Sequence, residues 1–306
     1  MTVIDISKKC HNTNLVVNGN GNIGKLFAIN SKVDTWVISR FLNDSQCMSL
    51  ITPRGKKTRT LKLVQATEIN KEIRFIVMAT KAYDLAAALN AIKSNLSEKT
   101  VIILTQNGLG FHEKILKLFP KCCIVFASIT YGVKKYSDLA IYSDMKGSVK
   151  LGIISQVKND LSNKREISKL FRSLELNWLW SDNINQDILL KFAINCIINP
   201  LSIIYNCENG ELESIAGFSD TIEKLASEIV LVLKNLETSV DELIKQVYKV
   251  IAETRHNISS TLADYKQQKK TEIEFFNIHL TRLADKNKVD IRTNCAMLSI
   301  ITQLTK

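Results

Sequence analysis

Proline, paired cysteines, long apolar runs and runs of one charge are all scarce in this chain, and each scarcity removes a class of protein. Only three prolines occur in 306 residues, and 45% of the chain is hydrophobic, a composition that packs throughout rather than remaining disordered. The seven cysteines are irregularly spaced, Cys122 and Cys123 are adjacent, and no CxxC pair occurs, so no metal or redox site is predicted. Free buried thiols in a reducing compartment are the expectation. Met1–Asn14 holds no uninterrupted apolar segment with a small-residue cleavage site, which argues against a secretory leader. The longest apolar stretch, Ile188–Tyr205, is broken by Lys191, Asn195, Asn199 and Pro200, groups costly to place in lipid. A cytoplasmic protein without a membrane segment is predicted. The net charge of +11 would suit nucleic acid. The lysines are dispersed, however, in short clusters such as Lys56-Lys57 and Lys269-Lys270, with no interleaved aromatic platform, so no nucleic-acid partner is expected. An anionic cofactor and an anionic small-molecule substrate account for part of the charge more economically.

What is present divides in two, as the length alone suggests. The first half alternates strands and helices, with strands predicted at Leu15–Asn18, Asp34–Arg40, Phe75–Ala79 and Thr100–Thr105, and further ones at Cys123–Thr130, Leu139–Tyr142 and Ser148–Ile154. Helices intervene, notably Tyr83–Leu96 with its alanine-rich face. This alternation predicts an α/β fold with a Rossmann-type, doubly wound parallel sheet. After Trp180 the strand signals stop, and helical runs follow at Gln186–Ile204, Thr221–Leu236, Val240–Ile258 and Ser260–Leu283. The reading is a nucleotide-binding domain over 1–182 and an all-helical domain over 183–306, joined at the polar Ser181-Asp182-Asn183.

Gly19-Asn20-Gly21-Asn22-Ile23-Gly24 is a GxGxxG directly after the first strand and before a helix predicted to begin at Lys25. In that context Gly19 permits the tight turn, Gly21 lets the backbone approach a pyrophosphate, and Gly24 lets helix and strand pack closely. The helix N-terminus supplies amide donors and the positive end of a dipole. The second strand ends in Arg40, with no acidic residue at its tip until Asp44, so the expected cofactor is NADPH rather than NADH.

Lys191, Asn195 and Asn199 stand at i, i+4 and i+8 of an otherwise apolar helix, along one face with a drift of about 40° per step. A lysine so surrounded is partly desolvated, which lowers its pKa and suits it to proton transfer; the asparagines supply donors and acceptors for a hydroxylated carboxylate. The other reading keeps Lys191 snorkelling to solvent and the asparagines paired in the core. Ser260 and Glu272, on one predicted continuous helix, fall roughly on one side of it, as a site pair or as two residues of a solvated face. Lys81 and Asn107 follow predicted strands, where ligands bind in open α/β sheets; Asn107-Gly108 also reads as a plain turn.

GNGNIG (19–24), TKAYD (80–84), QNGLG (106–110), KFAINCIINPLSIIYNCENGEL (191–212), TRHNISS (254–260) and TEIEFFN (271–277) together resemble the ketopantoate reductase family, of the 6-phosphogluconate dehydrogenase-like group. The resemblance spans almost the whole chain, and the run from Lys191 to Leu212 is its most specific part. It implies NADPH-dependent reduction of ketopantoate to pantoate by a monomer or homodimer, with Lys191 as proton donor and Glu272 in the catalytic and cofactor machinery. It implies substrate contacts at Asn107, Lys191, Asn195, Asn199, Asn209, Asn257 and Ser260. Cofactor contacts are implied at the glycine turn, Arg40, Lys81, Asn107 and Val133. Three features depart from the family: the segment between Gly24 and Arg40 is short, Ile278 replaces a small residue, and roughly fourteen residues precede the first strand. Reduction of another branched 2-keto acid, or NADP binding without catalysis, are the alternatives.

Overall fold

A computed structural model describes residues 15–40, 44–156 and 160–304; the extension before the first strand lies outside them. The chain divides into two compact units, Met1–Gln106 with Glu113–Ile184, and Asn107–His112 with Asn185–Lys306. It therefore leaves the first unit after Gln106, gives a short segment to the second, and returns.

The first unit carries an eleven-stranded sheet. Its strands are β1 (Leu15–Asn18), β2 (Thr35–Ile38), β3 (Ser45–Thr52), β4 (Gly55–Val64), β5 (Phe75–Met78), β6 (Val101–Leu104), β7 (Cys123–Ile129), β8 (Lys134–Ser137), β9 (Ala140–Tyr142), β10 (Val149–Ile153) and β11 (Trp178–Trp180). At its centre β4-β2-β1-β5-β6-β7 run parallel. Their chain order is that of the doubly wound dinucleotide fold, which reverses at β1. These strands are apolar end to end because helices cover both faces; β1, β2, β6 and β7 are buried at every position.

The sheet is mixed beyond that centre. β3 pairs antiparallel with β4, β8 with β9, and β10 with β7. The hairpin of β3 and β4 and the short β8 and β11 are absent from the predicted strands. Much of β4 faces solvent, and its Lys56, Lys57, Arg59 and Lys62 mask the alternation that buries Leu61 and Leu63.

Two predicted helices of this unit change bounds. The first, α1, spans Asn22–Asn30 and begins before Lys25, because the Lys25 amide already bonds the Gly21 carbonyl at 2.9 Å. Tyr83–Leu96 is not one helix: α2 covers Leu85–Asn90, with single 3-10 turns at Ala82–Asp84 and Lys93–Asn95. Asn95 breaks it by donating its side chain to the Ile69 and Lys71 carbonyls at 2.8 and 3.1 Å. Helices α3 (His112–Leu118) and α4 (Asp160–Arg172) complete the set.

The second unit is helical: α5 (Ile184–Tyr205), α6 (Phe218–Val232), α7 (Val240–Glu253), α8 (Ser260–Lys266), α9 (Asn277–Asn287) and α10 (Arg292–Leu304). The predicted run Ser260–Leu283 is broken. Lys266-Gln267-Gln268-Lys269-Lys270 offers nothing apolar to bury, Gln268 turns left-handed at φ 53°, and a 3-10 turn at Ile273–Phe275 precedes α9. Ser260 and Glu272 thus do not share a helix. Helix α5 meets the length and composition of a membrane span, but most of it is buried in this unit's core.

Candidate active site

The first unit builds a candidate phosphate cradle from its glycines. Gly19 takes φ +119°, and a Cβ there would stand 2.7 Å from the Ala79 carbonyl oxygen, so the turn lies flat on the chain leaving β5. A Cβ on Gly24 would overlap the Gly19 carbonyl, which makes Gly24 a packing requirement of α1 against the turn. Gly21 is different: its backbone is extended at φ −81° and a Cβ would meet no atom of the described residues within 4 Å. Neither conformation nor packing demands a glycine there, so the open space suits close approach of an anionic group to the backbone. The first turn of α1 carries no acidic side chain and no side-chain cap, leaving its positive end suited to a pyrophosphate. The donor set fits a dinucleotide.

The other residues expected around that turn fall beside it within the same unit. Asn22 donates its side-chain amide to the Val133 carbonyl at 3.3 Å, bringing the stretch after β7 onto the turn. Buried Lys25 reaches the same stretch through the Asp138 carbonyl at 2.6 Å. Lys81 opens the 3-10 turn after β5, and Ala79 donates its amide to the Asn18 carbonyl at 2.8 Å. Arg40, at the end of β2, forms an ion pair with Asp84 at 2.8 Å. An acid thus reaches Arg40 through space from the turn that also carries Lys81, which the local sequence around Arg40 does not show.

The second unit gathers the polar groups. Helix α5 runs unbroken through Lys191, Asn195 and Asn199, so they line one face, with Asn199 only 5% exposed. Burial lowers the Lys191 pKa to about 8, while the charge of Glu272 works to raise it. Glu272 is itself 6% exposed. The two are therefore electrostatic neighbours despite the failed helix: the turn at Ile273–Phe275, rather than a shared helical face, brings Glu272 to α5.

Asn107 joins this unit. Past it, the Leu109 amide donates to the Phe275 carbonyl at 2.9 Å, which fastens the segment to the turn that follows Glu272. Asn209 and Asn257 meet through their backbones, amide to carbonyl at 2.9 Å, and the Asn209 side chain donates to Thr254 Oγ1 at 2.9 Å. The buried Asn209 Oδ1 has no partner among the described residues. Ser260 is exposed. Its neighbour Ser259 caps α8 and shares a 2.7 Å hydrogen bond with Ser202 of α5.

Residues 15–156 match the family model described as ketopantoate reductase PanE/ApbA, and residues 183–305 match its C-terminal counterpart. The chain belongs to the ketopantoate reductase family. It is accordingly an enzyme of an oxidoreductase family. A 2-dehydropantoate 2-reductase of Vibrio cholerae is 26% identical over 303 residues, covering 95% of this chain and 97% of that protein. Among solved structures, the ternary complex of D-mandelate dehydrogenase with NADH and anilino(oxo)acetate superposes with a TM-score of 0.85 at 22% identity, covering 95% of this chain and 98% of that one. The dimeric ketopantoate reductase of Staphylococcus aureus gives a TM-score of 0.77 at 18% identity, covering 95% and 98%.

Two residues of this ketopantoate reductase family chain have structural roles that its motifs do not announce. Gln106, 3% exposed, donates its side-chain amide to the carbonyls of Met78 and Thr80 at 2.8 and 3.0 Å. It thereby holds the chain between β5 and Lys81, against which Gly19 rests. Asn277, 1% exposed, donates to the Cys196 carbonyl of α5 at 3.0 Å. Both lie within quoted motifs, but nothing local marks their partners.

Proposed function

We propose that the protein is an NADPH-dependent 2-dehydropantoate 2-reductase, converting ketopantoate to pantoate for pantothenate biosynthesis in the cytoplasm. The observation that carries this reading is Lys191: a lysine held near pKa 8 by burial, in line with Asn195 and Asn199 and acted on by Glu272. When bound, the reduced nicotinamide supplies the hydride that becomes the new C–H bond at the keto carbon. The chain's own residues do the rest. Lys191, as ammonium, hydrogen-bonds the carbonyl oxygen and delivers its proton to that oxygen as charge develops, completing the alcohol and leaving the neutral amine. Glu272 favours the charged form of Lys191 before transfer. Asn195, Asn199, Asn209, Asn257 and Ser260 hold the hydroxyl and carboxylate of the keto acid, and Asn107 orients the carbonyl.

Cofactor binding is assigned to the glycine turn from Gly19 to Gly24, with Lys81, Val133 and Glu272 as further contacts and Arg40 facing the 2'-phosphate. The exposed guanidinium of Arg40 suits that role, and the Asp84 ion pair orients it. The likeness to D-mandelate dehydrogenase favours a second reading, a reductase of another 2-keto acid with a bulkier substituent on the same scaffold. Purified protein assayed for loss of reduced nicotinamide absorbance separates them. Turnover of ketopantoate with NADPH well above phenyl-substituted keto acids supports the first reading; the reverse order supports the second. No turnover of any 2-keto acid refutes both. The assembly is a monomer or homodimer, which light scattering determines.

A further inference from the structure

Helix α5 contains Pro200 in its interior. Proline has no backbone N–H, so the carbonyl four residues earlier, that of Cys196, loses its helical donor. A buried carbonyl left so bears its full desolvation penalty, and here the donor comes from far along the chain: Asn277 Nδ2, at 3.0 Å. The orientation of that amide follows from the contact, because only its NH2 can donate to a carbonyl. Its Oδ1 is buried without a partner among the described residues. An apolar side chain would avoid that orphaned acceptor, so Asn277 is explained by what its donor holds in place.

That donor holds the turn carrying Glu272. Phe275 donates its amide to the Glu272 carbonyl at 2.9 Å, Phe276 to Ile273 at 3.1 Å, and Leu280 to Phe276 at 2.8 Å, so Glu272 and Asn277 belong to one tightly bonded stretch. The Phe276 ring stacks on Phe192 with centroids 6.2 Å apart and planes 21° from parallel. Along α5, Lys191 is acted on by Glu272, Phe192 packs on Phe276, and the Cys196 carbonyl receives Asn277. We propose that Asn277 is a positioning residue of the reductase, which uses the carbonyl released by Pro200 to lock the Glu272 turn in register with Lys191.

The bond does two separable things: it satisfies Cys196, and it fixes Glu272. Pro200→Ala returns a helical N–H to the Cys196 carbonyl and so restores the first without the second. Asn277→Leu alone should lower the melting temperature and lower kcat at saturating substrates at least tenfold. The double variant should regain the melting temperature of Pro200→Ala without regaining kcat.

The inference rests on the reductase reading, so one readout needs no substrate: titration of Lys191 by NMR of 13C-labelled lysines. Glu272 is the carboxylate that acts on Lys191, and releasing its turn should lower the Lys191 pKa in the double variant relative to Pro200→Ala. Recovery of both kcat and the Lys191 titration in the double variant overturns the proposal, and so does wild-type kcat in Asn277→Leu. A double variant that does not fold overturns it too, since the core would then need Asn277 for more than this bond. Wild-type protein that turns over no keto acid refutes the reductase reading instead, and leaves the titration to decide whether Asn277 positions Glu272.

Discussion

If Lys191 is the proton donor, as proposed, its titration sets the shape of the pH profile. In that role the ammonium gives up a proton during reduction, so kcat should follow the protonated fraction of Lys191. With its pKa near 8, that fraction is roughly nine-tenths at pH 7 and roughly one-tenth at pH 9, so kcat falls about tenfold between them. A lysine at its usual value of about 10.4 would still be almost fully protonated at pH 9 and would leave kcat nearly flat. Oxidation of the hydroxy acid needs the neutral amine, so the reverse reaction should rise through the same pH region in mirror image. Initial rates in both directions between pH 6 and 10, at saturating substrate and cofactor, check this. Glu272→Gln removes the charge that raises the pKa and should move the break to lower pH. Lys191→Ala should lower kcat by orders of magnitude and remove the break, while cofactor binding persists. A profile flat through pH 9, or a break that survives in Lys191→Ala, would refute the assignment of the proton donor.

Gly21→Ala should leave the melting temperature unchanged, because its Cβ meets no atom of the described residues, yet weaken cofactor binding in a fluorescence titration; Gly24→Ala should fail in both, since its Cβ overlaps the Gly19 carbonyl. Gln106→Leu removes the donor to the Thr80 carbonyl and should cost about 1–3 kcal/mol in urea unfolding, with weaker cofactor binding as the turn under Gly19 loosens. Glu228 is held below the usual carboxylate range: burial works against its charge, but hydrogen bonds from Thr293 and Asn294 at the start of α10 prevail. Its contribution is present above the unfolded pKa of about 4.3 and is lost as pH falls through the lower folded value. The difference in unfolding free energy between wild type and Glu228→Gln should therefore be clear at pH 7 and shrink toward pH 3.

The parallel centre of the sheet was legible because its strands are buried on both faces and read as apolar runs: Val101–Leu104 could hardly be anything else. The hairpin of Ser45–Thr52 and Gly55–Val64 was not, because its burial is confined to Met48–Leu50 on one strand and to Leu61 and Leu63 on the other, and cationic residues interrupt the alternation. The second unit misled in another way. Ser260–Leu283 has helical composition at both ends, and propensity alone runs a helix through the polar Lys266–Lys270. With no apolar group there to bury, tertiary packing holds no helix, and the chain turns instead.

The candidate site was legible where its residues form a local pattern, as in the glycine turn and the stripe on α5. It was not where one buried amide serves one distant carbonyl. Asn277 and Gln106 share a logic that composition cannot display. Regular structure stops supplying donors at Cys196, because of Pro200, and at Thr80, because β5 has ended. In each case a side-chain amide arrives from elsewhere, and each stretch held this way leads to a residue assigned to the chemistry, Glu272 in one unit and Lys81 in the other. Irregular backbone lets such residues leave the helix and strand directions, but only if its carbonyls remain paired. The donors that pair them are therefore part of the site's construction, although they need touch neither substrate nor cofactor.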